Sequence, residues 1–355
     1  PELNSREAGE IFVPQNIGPD AYQFEEVTLP TDNYSATHTL AAGYLKTELP
    51  FTSWFRVMAG ARLEYSKQFT TTFPLFASQG ATTVDSTIKT TDLLPAATAT
   101  FSPTAKTNIR LGYGRTVSRP DFREMSPAVF ADVVGGRTVS GNPDLKRALI
   151  DNLDARFELY PSAGESLSFG VFYKQFHDPI ESVLVVSSER SSTWQNTEGA
   201  WLAGVEADVR KSLDFVSPGM RDFYVAGNIA IIESRVTGIG GVGTNSERPM
   251  QGQSPYVINA TVGYDNPETN TYATLLYNVY GPRITEAGAF GQPDTYQAPV
   301  HAVDAVIGLR WDSGFFLNAK ATNLLNYPAV YTMGDRETER VVNGWNAALK
   351  IGMKL

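Results

Sequence analysis

The sequence predicts an all-β protein, an antiparallel transmembrane β-barrel built as a meander, and three observations carry that prediction. Apolar side chains recur at every second position in about thirteen segments. The connections between those segments alternate, short then long. The composition, with 30 Gly, 21 Pro, 16 Tyr and 19 Phe but only 19% charged residues, favours strands and turns over a helical bundle. No stretch reaches the roughly 18 uninterrupted apolar residues of a spanning helix, which excludes a helical membrane protein but not a barrel, whose signal is weaker per segment. At about 150 residues per domain, 355 residues would otherwise suggest two domains.

The segments fall near residues 34–49, 53–67, 89–101, 107–117, 147–160, 165–185, 196–212, 221–235, 253–265, 271–284, 299–311, 315–325 and 341–355. The last is the clearest, because Trp345, Ala347, Leu349, Ile351, Met353 and Leu355 alternate with Asn346, Ala348, Lys350, Gly352 and Lys354. In 53–67, Phe55, Val57, Ala59, Ala61, Leu63 and Tyr65 face away from Arg56, Arg62 and Glu64. In 147–160, Leu153, Ala155, Phe157 and Leu159 oppose Asn152, Asp154, Arg156 and Glu158. Short connections stand at Pro50 to Thr52, Ser102 to Lys106, Pro161 to Gly164, Asp214 to Met220, Asn266 to Thr269 and Asp312 to Gly314. Phe51, Trp54, Phe101, Tyr160, Phe215, Phe223, Tyr264, Tyr272, Trp311 and Phe315 flank them, as an aromatic girdle at one membrane interface would.

Periodicity leaves open which face points inward. A closed sheet this wide cannot fill its interior with a dry core, so the polar face is expected to line a wet lumen and the apolar face to meet lipid. Arg56, Arg62, Arg110, Asp154, Arg156, Glu158, Glu206, Asp208, Arg210, Asp304 and Arg310 are the expected lumen residues. An odd strand count implies that further strands close the barrel.

A formal charge of -9 argues against nucleic acid as a partner. The absence of cysteine excludes disulfides, cysteine metal sites and thiol nucleophiles. The chain opens at Pro1 without an apolar leader, so any signal peptide lies outside it.

Several ordered segments resemble the barrel of TonB-dependent outer-membrane receptors. They are Gly9-Glu10-Ile11-Phe12 with Asn16, Asp32-Asn33-Tyr34-Ser35-Ala36, Gly60-Ala61-Arg62-Leu63-Glu64, Leu93-Leu94-Pro95, and Gly112 through Ser118-Arg119-Pro120-Asp121-Phe122-Arg123-Glu124. They continue with Gly141-Asn142-Pro143-Asp144-Leu145-Lys146, Asn152 to Glu158, Phe172-Tyr173-Lys174 with Asp178-Pro179-Ile180-Glu181, Gly204-Val205-Glu206, Leu276-Tyr277-Asn278, and Ala321-Thr322-Asn323-Leu324-Leu325-Asn326. The resemblance runs from about Gly9 to Leu355. It implies that residues 1–355 are the C-terminal part of a barrel of about 22 strands, with plug and early strands absent. One departure is Leu355, where the family usually ends in an aromatic residue.

The resemblance further implies a non-enzymatic receptor in the outer membrane of a Gram-negative bacterium, importing a scarce, large solute with energy delivered through TonB. Siderophore, haem, cobalamin, saccharide and peptide all remain open as that solute. The implied partners are outer-membrane lipid, the TonB complex, the protein's own plug, and surface or periplasmic proteins. No cofactor or metal is implied. A plugless surface barrel that binds, adheres or conducts passively is the competing reading, and an outer-membrane hydrolase is the third.

The remaining motifs are weighed on their residues. Gly238-Ile239-Gly240-Gly241-Val242-Gly243 spells a dinucleotide fingerprint, but no apolar helical repeat follows, so it reads as a loop. Of the three histidines, His177 beside Asp178 and His301 near Asp304 stand on opposite faces of extended chain from those acids. The interleaved lumen charges read as a salt-bridge lattice that stiffens the wall and docks the plug, in preference to a guide for an anion. Phe122, Phe130, Trp194, Phe290, Tyr296, Tyr327 and Tyr331 are expected in the long loops, where they either stack on a ligand or pack loop upon loop.

Overall fold

The computed structural model describes residues 13–18, 33–73, 83–131, 138–185, 191–237, 243–245 and 247–353. Residues 1, 9–12, 32, 238–242, 354 and 355, invoked above, lie outside the described residues.

Period-two sequence produces long antiparallel strands. The chain runs through β1 (Tyr34–Pro50), β2 (Phe55–Thr72), β3 (Val84–Thr104), β4 (Thr107–Ser118), β5 (Val129–Ala131), β6 (Thr138–Ser140) and β7 (Ala148–Leu159). It continues through β8 (Ser166–His177), β9 (Ile180–Val185), β10 (Ser191–Asn196), β11 (Gly199–Ser212), β12 (Phe223–Thr237), β13 (Tyr256–Asn266) and β14 (Thr271–Tyr280). The last are β15 (Arg283–Glu286), β16 (Thr295–Gln297), β17 (Val300–Arg310), β18 (Phe315–Thr322), β19 (Ala329–Met333), β20 (Arg336–Val341) and β21 (Asn346–Met353).

Thirteen of these form one antiparallel wall in the order β1-β2-β3-β4-β7-β8-β11-β12-β13-β14-β17-β18-β21. They correspond one for one with the thirteen segments read from sequence. Three of those segments run past the end of their strand, and 341–355 begins before β21 does. The 165–185 segment breaks at Asp178, whose φ of 52 precedes Pro179 and turns the chain out of the wall. The 271–284 segment stops before Gly281-Pro282, where a wall strand would need an amide that proline lacks. The 315–325 segment stops at Asn323, with φ of 54.

The wall has two unlike faces. Leu45 is 82% exposed, Leu63 53%, Leu93 60% and Leu349 63%, and register places such residues opposite one another, as in Leu63↔Leu93 and Val262↔Leu275. Large apolar groups so exposed would be costly in water and cost nothing against hydrocarbon. At the short-turn end, Phe55 and Phe101 lie 4.9 Å apart, Trp54 and Phe101 5.0 Å, Phe223 and Tyr264 4.9 Å, and Trp311 and Phe315 5.4 Å. Tyr272 is a correction to the girdle. It stands one residue out of phase with Ala273 and Leu275, and so lies on the polar face, where its hydroxyl donates to Asn318 Oδ1 at 3.3 Å.

On that polar face an aromatic ring covers the glycine directly opposite it in four strand pairs: Phe172 over Gly204, Tyr224 over Gly263, Tyr272 over Gly308 and Phe316 over Gly352. A Cβ at any of the four would overlap the ring. Gly308→Val is therefore expected to cost about 1–3 kcal/mol by overpacking. A lower midpoint in urea titration of the lipid-inserted protein checks it, and removing the ring as well, with Tyr272→Ala, should return part of the loss.

The buried apolar side chains are not in the wall's middle. Met125, Ala128, Leu145, Val183, Leu184, Ile284, Ala287, Ala289 and Ala329 lie in the long connections or their strands, and Ala148, Ala200, Val236 and Val279 at the adjoining strand ends. Those connections form their own layer. One sheet runs β5-β6-β10-β9 and a second β15-β16-β19-β20. Bridges Val183↔Ala287 and Gly243↔Ala289 join the β14–β17 connection to the β8–β11 and β12–β13 connections. Sequence alone did not reveal these short strands.

Candidate functional site

Two regions combine polar chemistry with fixed geometry: the wall's polar face and the loop layer above it. On the polar face, Arg110 and Arg156 are direct cross-strand partners, an arrangement that repels unless acids intervene. They do intervene. Glu158 accepts from Arg110 Nε at 3.0 Å and lies 3.6 Å from Arg156 Nε. Arg156 donates onward to Glu206 at 2.9 Å and Asp208 at 3.0 Å, and Ser168 Oγ donates to Asp208 at 2.8 Å. Arg210 stacks on the Tyr224 ring at 3.6 Å. A four-strand lattice of both signs results.

The other expected wall charges share this face but not this cluster. Arg62 Nε donates to Glu64 at 2.6 Å, Arg56 lies 3.9 Å from Glu48, and Asp304 accepts from the Asn323 amide at 2.9 Å. Asp154 stands opposite Gly112 and Phe172, and Arg310 opposite Phe316.

A second cluster lies where the β4–β7 connection folds back on the wall. Asp92, 3% exposed on β3, accepts from Arg119 at 3.1 Å and from Arg147 at 2.7 Å. Arg119 also reaches Glu64 at 2.9 Å. Gln68 Nε2 donates to the Pro120 carbonyl at 2.8 Å, Ser86 Oγ to that of Pro143 at 2.6 Å, and the Thr72 and Ser126 hydroxyls meet at 2.8 Å. Sequence reading missed Asp92, Arg119 and Arg147. The available signal was Arg119-Pro120, a cation beside a proline that ends the strand, and a lone acid in the otherwise uncharged run from Thr90 to Thr100.

A third cluster knots three connections. Arg248 and Glu181, with side chains each 3% exposed, form a two-pronged pair at 2.7 and 3.2 Å. Glu181 accepts also from the Gln251 amide at 3.1 Å, while the Gln251 side chain accepts from Ser182 N at 2.8 Å and donates to the Thr285 carbonyl.

The seven loop aromatics do not converge. Phe122 faces the His38 ring at 6.5 Å, and Phe130 packs edge-on to Tyr34 at 5.9 Å beneath the Arg123 guanidinium. Trp194 is half-buried in β10, its carbonyl accepting from Asn142. Tyr327 packs edge-on to His301 at 4.9 Å, and the Tyr331 hydroxyl accepts from Gln297 Nε2 at 3.3 Å. Phe290 stands exposed at a φ of 53. Tyr296 lines a cavity of about 430 Å³ with Arg235, Glu247, Arg248 and Arg283. Burial, and the Asp294 carboxylate beside it, push its hydroxyl pKa up.

The histidines take other partners than those nearest in sequence. His177 Nε2 lies 3.2 Å from Asp151, whose oxygens already accept from Tyr113 at 2.8 Å and from Arg115 at 2.8 and 2.9 Å. His301 Nδ1 meets the Tyr277 hydroxyl at 2.7 Å. Among the described residues, no group of three or more acidic or histidine side chains is placed to hold a metal ion.

The family described as TonB dependent receptor-like, beta-barrel, matches residues 6–324. The chain belongs to the TonB-dependent receptor β-barrel family. Solved structures agree in fold with this TonB-dependent receptor barrel. The siderophore receptor PiuA from Acinetobacter baumannii superposes with a TM-score of 0.64 at 13% identity, over 90% of this chain and 43% of that one. The copper transporter OprC gives 0.65 at 14%, over 89% and 48%. The ferric yersiniabactin uptake receptor FyuA from Yersinia pestis gives 0.58 at 16%, over 89% and 44%. The chain thus spans less than half the length of each. No curated protein matches the sequence of this receptor barrel.

Proposed function

We propose that this chain supplies wall and outward loops to an outer-membrane receptor that imports a scarce, large solute with energy delivered through TonB. The observation that carries the proposal is the two-faced wall of a TonB-dependent family member, apolar groups exposed on one side and a charge lattice on the other. On this reading the apolar face meets lipid, and Arg56, Arg62, Arg110, Asp154, Arg156, Glu158, Asp304 and Arg310 border a watery interior. Among the described residues β1 and β21 each pair on one side only. Unpaired backbone groups are costly in hydrocarbon, so additional strands would close the barrel between them, around a plug.

The solute is taken to be a siderophore, haem, cobalamin, a saccharide or a peptide, first met by the loop layer; Tyr296 and the cavity beside it are the strongest candidate for that contact. Deleting the gene and growing the strain on a panel of iron sources and glycans should abolish growth on one source, with rescue that requires TonB. Growth unchanged on every source, or rescue without TonB, would favour a passive or adhesive barrel.

The membrane assignment has its own test. Ile307, 48% exposed, lies between Ala273 and Ala319 on the apolar face. Ile307→Arg is expected to cost about 2–4 kcal/mol near the bilayer midplane, whereas Asn318→Lys on the other face should fold and insert normally. Reversible folding into lipid vesicles measures both, and equal damage at the two sites would mean that the faces are reversed.

A further inference from the structure

The apolar face changes character abruptly on β2 and β3. Moving toward the long loops, the pair Leu63↔Leu93 is followed by Tyr65↔Thr91, then Lys67↔Lys89, then Phe69↔Thr87. On β1 the partners of these β2 residues are Gly43, Ala41, Thr39 and Thr37. Both lysines are exposed and stand directly opposite each other. Like charges so placed on adjacent antiparallel strands destabilise the pair.

Other cations on the same face are neutralised: Arg115 by Asp151, and Arg235 by Glu247 at 3.1 Å. Among the described residues, neither Lys67 nor Lys89 makes an ion pair; the Lys89 ammonium lies 5.8 Å from the Tyr65 ring. Among the described residues the row therefore carries two positive charges with no acidic partner, with the Thr39 and Thr91 hydroxyls on the same face. It sits one aromatic row beyond exposed leucines. That sequence of hydrocarbon-facing, aromatic and cationic rows is the order in which a membrane lipid presents acyl chain, interface and phosphate.

We propose that Lys67 and Lys89 hold a phosphate of an outer-leaflet glycolipid whose acyl chains lie along Leu45, Leu63 and Leu93. An anion between the two ammonium groups turns their mutual repulsion into two attractions, and the exposed leucines distinguish a lipid from a free anion. The proposal rests on the membrane-spanning reading of the wall.

The test uses the full-length receptor in detergent, with diphosphoryl lipid A, its fully dephosphorylated form and inorganic phosphate as probes. The wild type should bind the diphosphoryl form at least about tenfold more tightly than the dephosphorylated one, and Lys67→Gln/Lys89→Gln should lose that preference, a difference of about one decade in Kd. Inorganic phosphate at millimolar concentration should not displace the lipid. Without lipid, Lys67→Gln alone should leave thermal stability equal or raised, because the repulsion is gone, and lipid A should then stabilise it less than the wild type.

An unchanged lipid preference in the double variant overturns the proposal. Displacement by inorganic phosphate overturns it too, by making the site one for a free anion. A protein that never inserts into vesicles defeats the membrane reading instead, so the two failures are separable.

Discussion

Replacing Arg248 by methionine is expected to cost about 3–5 kcal/mol in the loop layer, because it leaves Glu181 as an unpaired charge that is 4% exposed. Arg248 is the cation that the Glu181 carboxylate faces, through bonds of 2.7 and 3.2 Å, and the Gln251 amide at 3.1 Å is the neutral donor that remains. Arg248 follows β12, Glu181 opens β9, and Gln251 reaches Thr285 in β15, so one substitution loosens three connections together. Since about 1.4 kcal/mol is tenfold in an equilibrium, amide exchange in β9, in residues 248–253 and in β15 should accelerate by two to three orders of magnitude. Exchange in β13 and β14 should not change. The companion variant Glu181→Leu/Arg248→Met removes both charges and should recover most of the protection, as apolar replacement of a whole buried pair usually does. Unchanged exchange in the single variant would mean that the loops do not move as one unit.

The wall was legible because its chemistry is local. A period of two over ten or more residues is set by pleating alone, and Trp345 to Met353 shows it without any knowledge of the partner strand. The charged face was legible for the same reason. Its pairing was not: Arg156 meets Glu206 fifty positions away, and only register across β7, β8 and β11 brings them together.

The loop layer was hidden by a different cause. β5, β6 and β16 are three residues each, too short for a period to declare itself, and β6 and β16 pair with β10 and β19 from other connections. His177 carries the same lesson, since its acid partner is Asp151 on the neighbouring strand and not the adjacent Asp178. The sequence assigns the aromatic residues to the connections between wall strands, but their orientation follows from burial that no single segment encodes. Phe130 and Tyr327 pack on wall residues, while Phe290 faces solvent.

Asp92→Asn is the sharper probe of how the β4–β7 connection is fastened, since it removes a charge and almost no volume. Around this site Arg62, Arg119 and Arg147 face Glu64 and Asp92, three cations against two carboxylates. The Asp92 side chain is 1% exposed, so solvent cannot replace the lost charge, and three cations would face one acid. The expected cost is about 3–5 kcal/mol, and added salt should restore little of it, because buried pairs are weakly screened. The wall's own ladder does not depend on Asp92, and Gln68, Ser86 and Thr72 still bind the connection through neutral hydrogen bonds. The loss should therefore appear as local opening, with amide exchange in residues 119–131 and 138–147 rising by two to three orders of magnitude while β11 to β14 keep wild-type protection. A uniform loss of protection across the wall would instead make Asp92 a folding determinant of the barrel. No loss at all would mean that the neutral bonds suffice, and that the buried carboxylate contributes nothing to holding the connection inward.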